Sequence, residues 1–206
     1  MNSGKLHIPK IVITGGPCGG KSSAMPFLYE RLSENGYFAI LVPEAPTILM
    51  NAGHLPHGGD VQLRTFQERV IDLILVQEKE AHEYAIRKGH PKPIIVCDRG
   101  IMDTKAYTGE TMFNEILASR GLEVRGVLER YHAVLHMQST AVGAEEHYTK
   151  ANNVVRLENL DEARDADART LDAWSIHPRF AVIGNEEQSF ERKLQTLWAR
   201  LFEFLA

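Results

Sequence analysis

Residues 15–22 read GGPCGGKS and follow directly on the apolar run IVIT at 11–14. The string fits G-x-x-x-x-G-K-[ST], with Gly15, Gly20, Lys21 and Ser22 in the required places. Glycines let successive backbone N–H groups turn inward without Cβ clashes, the lysine reaches β- and γ-phosphates, and the serine hydroxyl holds Mg²⁺. Gly16, Pro17, Cys18 and Gly19 form the rest of the cradle, and Ser23 closes it on the far side. Chance produces such a spacing too, as an ordinary glycine turn, but without flanking elements. Here Ile11 to Thr14 supplies a buried strand, and SSAMPFLYERLSENG supplies a helix with Phe27, Leu28, Arg31 and Leu32 on one side and Asn35-Gly36 as its stop. Pro26 lies about one turn into that helix, where it crowds the Ser22 carbonyl, so a local distortion is expected at a cost of ~3 kcal/mol.

Outward from this loop the chain alternates. Short apolar runs, KIVIT, FAILV, PIIVC, YHAVLHM and RFAVI, are separated by longer amphipathic segments, a pattern that calls for an α/β fold with a parallel sheet covered by helices. The longest segment, 61–89, repeats Leu63, Phe66, Val70, Leu73, Ile74 and Gln77 at helical spacing and stops at Gly89. A second polar helix is expected over 160–174 with its apolar side at Leu160, Ala163, Leu171 and Trp174. A closing helix is expected at Phe190, Leu194, Leu197, Leu201 and Leu205. At 206 residues, with no repeat or Pro/Gly/Ser linker, the chain reads as one domain over 1–206. A net charge of −4 without a Lys/Arg block disfavours nucleic acid or an anionic membrane as main partner. No segment approaches the roughly 18 uninterrupted apolar residues of a membrane span, so a soluble, cytoplasmic protein is expected. Cys18 and Cys97 fit neither a disulfide framework nor a zinc spacing, and both are read as thiols.

Other residues can carry chemistry because of where their strands end. Glu44, in LVPEAP, follows the second strand and projects from the edge that carries the phosphate loop; it can accept a hydroxyl proton, hold a substrate, or complement a helix dipole. PIIVCDRG ends the third strand on Asp98, which suits a Mg²⁺-linked carboxylate beside Ser22 or a plain strand cap. Arg99 suits an acceptor, a phosphoryl oxygen or an ion pair. Asp103 is a helix-start candidate before a site residue. Among Arg156, Arg164 and Arg169, Arg164 is the first choice for a cation delivered over the γ-phosphate, against a solvated face laced with ion pairs. His54 and His57 sit in a Gly/Pro-rich loop suited to acceptor contact. His132 and His136 would point to one side of a strand, without ligand spacing for a metal.

Taken together, GGPCGGKS, VPEAP, CDRGIMDTKAY and EARDADARTLDAWSIHPRFAVIGN resemble a family of P-loop proteins described as AAA-type ATPases. That family includes the nicotinamide riboside kinase domains of bacterial NAD regulators and the nucleotide-binding domains of TRPL-translocation-defect proteins. The resemblance covers nearly the whole chain. It implies a three-layer P-loop NTPase fold of the nucleoside and nucleotide kinase type, with a five-stranded parallel sheet in the order 2-3-1-4-5. It also implies a helical lid at about 141–175 carrying the arginines, and a loop at Gly184 and Asn185 near the base. Asp98 is followed by Arg99 rather than by the glutamate of ring-forming AAA+ motors, so no ring motor is implied. Guanine-reading N/T-K-x-D is absent, which makes ATP the expected nucleotide with GTP open. The expected activity is a kinase, with Mg²⁺, moving the ATP γ-phosphoryl to a hydroxyl of a small acceptor. A nucleotide-dependent switch and a weak hydrolase are the alternatives.

Overall fold

Every one of the apolar runs becomes a strand. In the computed structural model, which describes residues 8–145, 159–186 and 189–206, these are β1 (Lys10–Thr14), β2 (Phe38–Val42), β3 (Pro93–Asp98), β4 (Ala133–Met137) and β5 (Phe180–Ile183). They form one five-stranded sheet in the order β2-β3-β1-β4-β5, with every neighbouring pair parallel. Strand β1 is central and splits its side chains between two cores. Ile11 and Ile13 pack with α1 (Lys21–Glu34) and α7 (Phe190–Leu205) on one face. Val12 faces α3 (Asp60–Lys88), α4 (Asp103–Ala118) and Trp174 of α6 (Leu160–Ser175) on the other. Two short helices, α2 (Ala45–Asn51) and α5 (Val124–Leu128), complete the described elements. No helix among the described residues is long and apolar enough to cross a membrane.

Four local expectations change. Helix α1 runs unbroken through Pro26, without the distortion the proline suggested. Pro26 and Ser22 are both exposed, so solvent can serve the carbonyl that loses its donor. Strand β4 begins at Ala133, which leaves His132 ahead of it and only His136 inside. In α3 the buried stripe is Phe66, Gln67, Val70, Ile71, Ile74, Glu78, Ala81 and Ala85, while Leu63, Leu73 and Gln77 are half-buried. Two polar residues hold core positions there, and Glu78 does so because Arg130 Nη2 and Tyr131 Oη each donate to its carboxylate at 2.7 Å, with Lys10 Nζ as a third donor. Lastly, α6 buries Ala163, Ala166, Asp167, Thr170, Ala173 and Trp174 rather than Leu160 and Leu171. Its small side chains allow a close approach, and Asp167 belongs to the inner face because its carboxylate is fully employed there, as shown below. A capping box between Asn159 and Glu162 starts this helix.

Because β1, β2 and β3 are parallel, the loop after Thr14, Glu44 after Val42, and the Asp98-Arg99 pair all emerge at one carboxyl edge.

Candidate functional site

The turn after β1 is held open by its neighbours. Gly15 has φ 133, and a Cβ there would overlap the Met137 carbonyl at the end of β4. Gly16 donates its N–H to Asp167 Oδ1 at 2.7 Å, so close that a Cβ on Gly16 would lie 2.7 Å from that same oxygen. Asp167 also accepts from Ser139 N at 3.0 Å and contacts His136 Nε2 at 3.1 Å, while Ser139 Oγ donates to the Pro17 carbonyl. Burial raises the Asp167 pKa, but His136 and these backbone donors outweigh it and keep the carboxylate below its ordinary range. The phosphate loop is thus braced from β4 and α6.

Inside the turn, Lys21 is buried and donates to the carbonyls of Gly15 at 2.9 Å and Gly16 at 2.8 Å. Burial, then the nearby Arg99, lowers its pKa to about 8, against the opposing pull of Asp98, Glu44 and Asp103. Arg99 adopts a left-handed backbone conformation, φ 70, which carries its side chain back under the loop. Its Nη1 donates to Asp103 Oδ1 at 3.0 Å and Gly15 O at 3.3 Å, and its Nε donates to Glu44 Oε1. Asp103 gathers further donors: Thr14 Oγ1 at 2.6 Å, Gly100 N at 2.9 Å and Trp174 Nε1 at 3.0 Å. It therefore serves the site more than the start of α4.

Glu44 takes two partners, Arg99 and Thr47 Oγ1. Burial pushes its pKa up, yet Arg99 and the Thr47 hydrogen bond prevail and hold it at about 2. Asp98 goes the other way: burial, then Glu44, lift it to about 6. Its Oδ1 is buried with no hydrogen-bond partner. Two cations, Lys21 and Arg99, face three carboxylates here, so a divalent cation fits both the surplus charge and the orphaned oxygen. No cluster of three or more His, Cys, Asp or Glu capable of holding a metal exists among the described residues. A Mg²⁺ held by Ser22, Asp98, phosphate oxygens and water is consistent with that, since this ion keeps several waters and needs few protein ligands.

All of this borders one cavity of about 1390 Å³. The loop from Pro17 to Ser23 forms its floor, with Glu44, Asp98, Arg99 and Asp103 at its centre. To one side lie Thr140, Asn185, Ser189, Phe190 and Lys193, the first wing. To the other lie Leu41, Ile48, Met50, Phe66, Val70 and Ile74, with Pro56 and His57 from the 53–60 loop, the second wing. Asn185 lines the first wing but spends its amide there: Nδ2 donates to Ser139 O and Val142 O, each at 2.7 Å, and Oδ1 accepts from Lys193 Nζ at 2.7 Å. Gly184 sits behind it, its α-carbon covered by the Glu186 carboxylate. Arg164 is half-buried on α6 and donates to Ala141 O at 2.7 Å, Asp161 at 2.9 Å and Glu145 at 3.0 Å, so it pins the 141–145 segment beside the first wing. Arg169 donates to Ala106 O at 2.9 Å. Arg156, and the lid from 146 to 158, lie outside the described residues.

Similarity along residues 10–193 matches the AAA domain family. The chain belongs to that family. Among curated proteins none matches it. As an AAA domain with a complete P-loop it is a nucleotide-binding protein, and P-loop NTPases generally bind their nucleotide with Mg²⁺. Sequence reasoning did not find four residues of this AAA domain's site. Asp167 was hidden in the run RDADAR, Gln67 in an apolar stripe, and Lys193 among the charges of α7; Phe190 read only as a core residue.

Proposed function

We propose that this AAA domain is a small-molecule kinase that transfers the γ-phosphoryl group of ATP to a hydroxyl on a nucleoside-like or other metabolite. One observation carries this reading: the cavity continues past Lys21 and Ser22, along the paired Glu44 and Arg99, into the second wing with Pro56 and His57, which is read as the acceptor wing, the first being the nucleotide wing. A switch or simple hydrolase needs only the nucleotide half. Resemblance to nicotinamide riboside kinase domains supports the same conclusion.

In this reading the acceptor oxygen bonds to the γ-phosphorus as the bond to the β,γ-bridging oxygen breaks, and ADP leaves. Catalysis is mostly positioning and charge stabilisation. Lys21 leaves the Gly15 and Gly16 carbonyls for the β/γ-phosphates. Arg99 supplies the second fixed cation at the transferring group. Ser22 and Asp98 would hold Mg²⁺, which would supply neutralising positive charge to the phosphates. Arg164 is assigned to holding the wall of the nucleotide wing, and Gly184 and Asn185 to its base. Glu44, ionised at any physiological pH, accepts a hydrogen bond from the acceptor hydroxyl and aims its oxygen at phosphorus, while the hydroxyl proton passes to an oxygen of the transferring phosphoryl group and from there to water.

Thermal shift with Mg·ATP and Mg·GTP, each against nucleosides and cofactor precursors, followed by transfer assays on the hits, tests the reading. A ligand at about 100 times its dissociation constant adds about 2.7 kcal/mol, a shift of roughly 5–10 °C at this size. Phosphate release with no acceptor dependence across the panel would refute kinase activity. Asp98→Asn is expected to weaken nucleotide affinity in Mg²⁺ more than in EDTA; equal losses in both would indicate a purely structural strand end. Glu44→Gln is expected to keep Mg·ATP affinity and lose acceptor-dependent transfer by about 10²-fold. The variant carries a second signature. Because Glu44 sits at about 2 against an ordinary 4.5, its stabilising contribution is complete above pH 4.5 and vanishes as pH falls through about 2. The parent's acid unfolding should therefore be steeper across that window than the variant's, and identical acid limbs would contradict the ion pair.

A further inference from the structure

Gln67 occupies a position where α3 otherwise buries aliphatic and aromatic side chains, directly between Phe66 and the Val70-Ile71 pair. Only 4% of it is exposed, it lines the acceptor wing, and its amide makes no hydrogen bond among the described residues. Thr104 repeats the pattern from α4: it is 1% exposed, borders the same cavity, and its Oγ1 is buried without a partner. Buried polar groups are nearly always hydrogen-bonded, because an unmet amide or hydroxyl is costly. A glutamine amide without a protein partner on the cavity wall, and an unpartnered Thr104 hydroxyl on the same lining, mark where a ligand's polar atoms belong.

The chemistry of that ligand follows from what each group offers. A glutamine amide presents a donor and an acceptor side by side, so its complement is an edge that also carries both, such as an amide or lactam. Leu41, Ile48, Met50, Leu63, Val70 and Ile74 line the same cavity and suit an apolar body, with Thr47, His57 and Thr104 as polar neighbours. No lysine or arginine lines this wing among the described residues apart from Arg99, whose guanidinium is shared by Glu44, Asp103 and Gly15. An anionic acceptor is therefore disfavoured. A volume of 1390 Å³ exceeds the roughly 300–1,000 Å³ of a single small-molecule site, leaving room for this molecule beside a nucleotide.

We propose that the acceptor is a neutral alcohol with an apolar body and an amide-type edge, and that Gln67 is the residue that selects it, with Thr104 assisting. This rests on the kinase reading and narrows its substrate class. N-(2-hydroxyethyl)benzamide and its ester counterpart 2-hydroxyethyl benzoate differ by the N–H that Gln67 would read, and uridine presents a lactam on a polar sugar. Each is titrated into the full chain loaded with Mg²⁺ and a non-hydrolysable ATP analogue, for the parent and for Gln67→Leu. The amide should bind at least about 10-fold more tightly than the ester in the parent, and the preference should vanish in Gln67→Leu. In the absence of any acceptor, Gln67→Leu should melt no lower than the parent, since the amide it removes has no protein partner to lose. A structurally bonded glutamine would melt lower on substitution, which would overturn the proposal. So would equal binding of amide and ester, a preference that survives Gln67→Leu, uridine binding more tightly than the amide, or no amide binding at a concentration on the order of 10 mM. The two readings fail separately: if an acceptor from the wider panel is phosphorylated at the parental kcat/KM by Gln67→Leu, the kinase stands and this selection does not.

Discussion

Lys21→Ala is expected to remove nucleoside-triphosphate turnover by about 10²–10³-fold or more while the chain still folds. The lysine is buried, but its hydrogen bonds go only to two backbone carbonyls, Gly15 O and Gly16 O, and burial lowers its pKa to about 8. Its stabilising value without nucleotide is therefore small. Phosphate oxygens offer what those carbonyls do not, full negative charge in a site sheltered from water, where a charge-assisted hydrogen bond is roughly twice as strong as a neutral one. Circular dichroism and calorimetry should show a parental fold, and titration with Mg·ATP should show the loss. Unchanged affinity and turnover at matched folding would refute the phosphate site itself.

Asp103→Ala should have the opposite profile, a large loss of stability. One carboxylate there serves Thr14, Gly100, Trp174 and Arg99 across three elements. Its removal leaves the Arg99 guanidinium facing a void, and losing one partner of a buried ion pair costs about 3–5 kcal/mol. For a chain of this size that is a fall in Tm on the order of 10 °C. Asp103→Asn, which can still serve some of these donors, should fall less. If Asp103→Ala melts with the parent, the network is not what joins α4 to the central strand.

The sheet could be read from the sequence because β1, β3 and β4 are buried on both faces and so appear as unbroken apolar runs, and the edge strands β2 and β5 keep the same apolar composition although they are partly exposed; even the order of strands followed from the resemblance. The phosphate loop was equally plain, since its glycines are demanded by backbone geometry that no other residue supplies. The partners of Asp103 were not legible. They come from β1, the turn after β3 and α6, and nothing in local spacing says that Trp174 will reach a carboxylate 71 residues away. Glu44 was found by its position at a strand end, but its low pKa depends on an arginine 55 residues distant and could not be foreseen. Leu160 and Leu171 misled about α6 for a related reason: helix periodicity identifies the greasy side, whereas the inner face of α6 is chosen by what Asp167 must bind.

That brace has a consequence of its own. Asp167 grips Gly16 from α6, the helix that also carries Arg164 and Arg169. A tilt of α6 cannot occur without either stretching this bond or dragging the turn that receives the triphosphate. If nucleotide favours one attitude of α6, linkage requires the exchange to be symmetrical: whatever factor by which bound nucleotide steadies α6, anything that steadies α6 raises nucleotide affinity by the same factor.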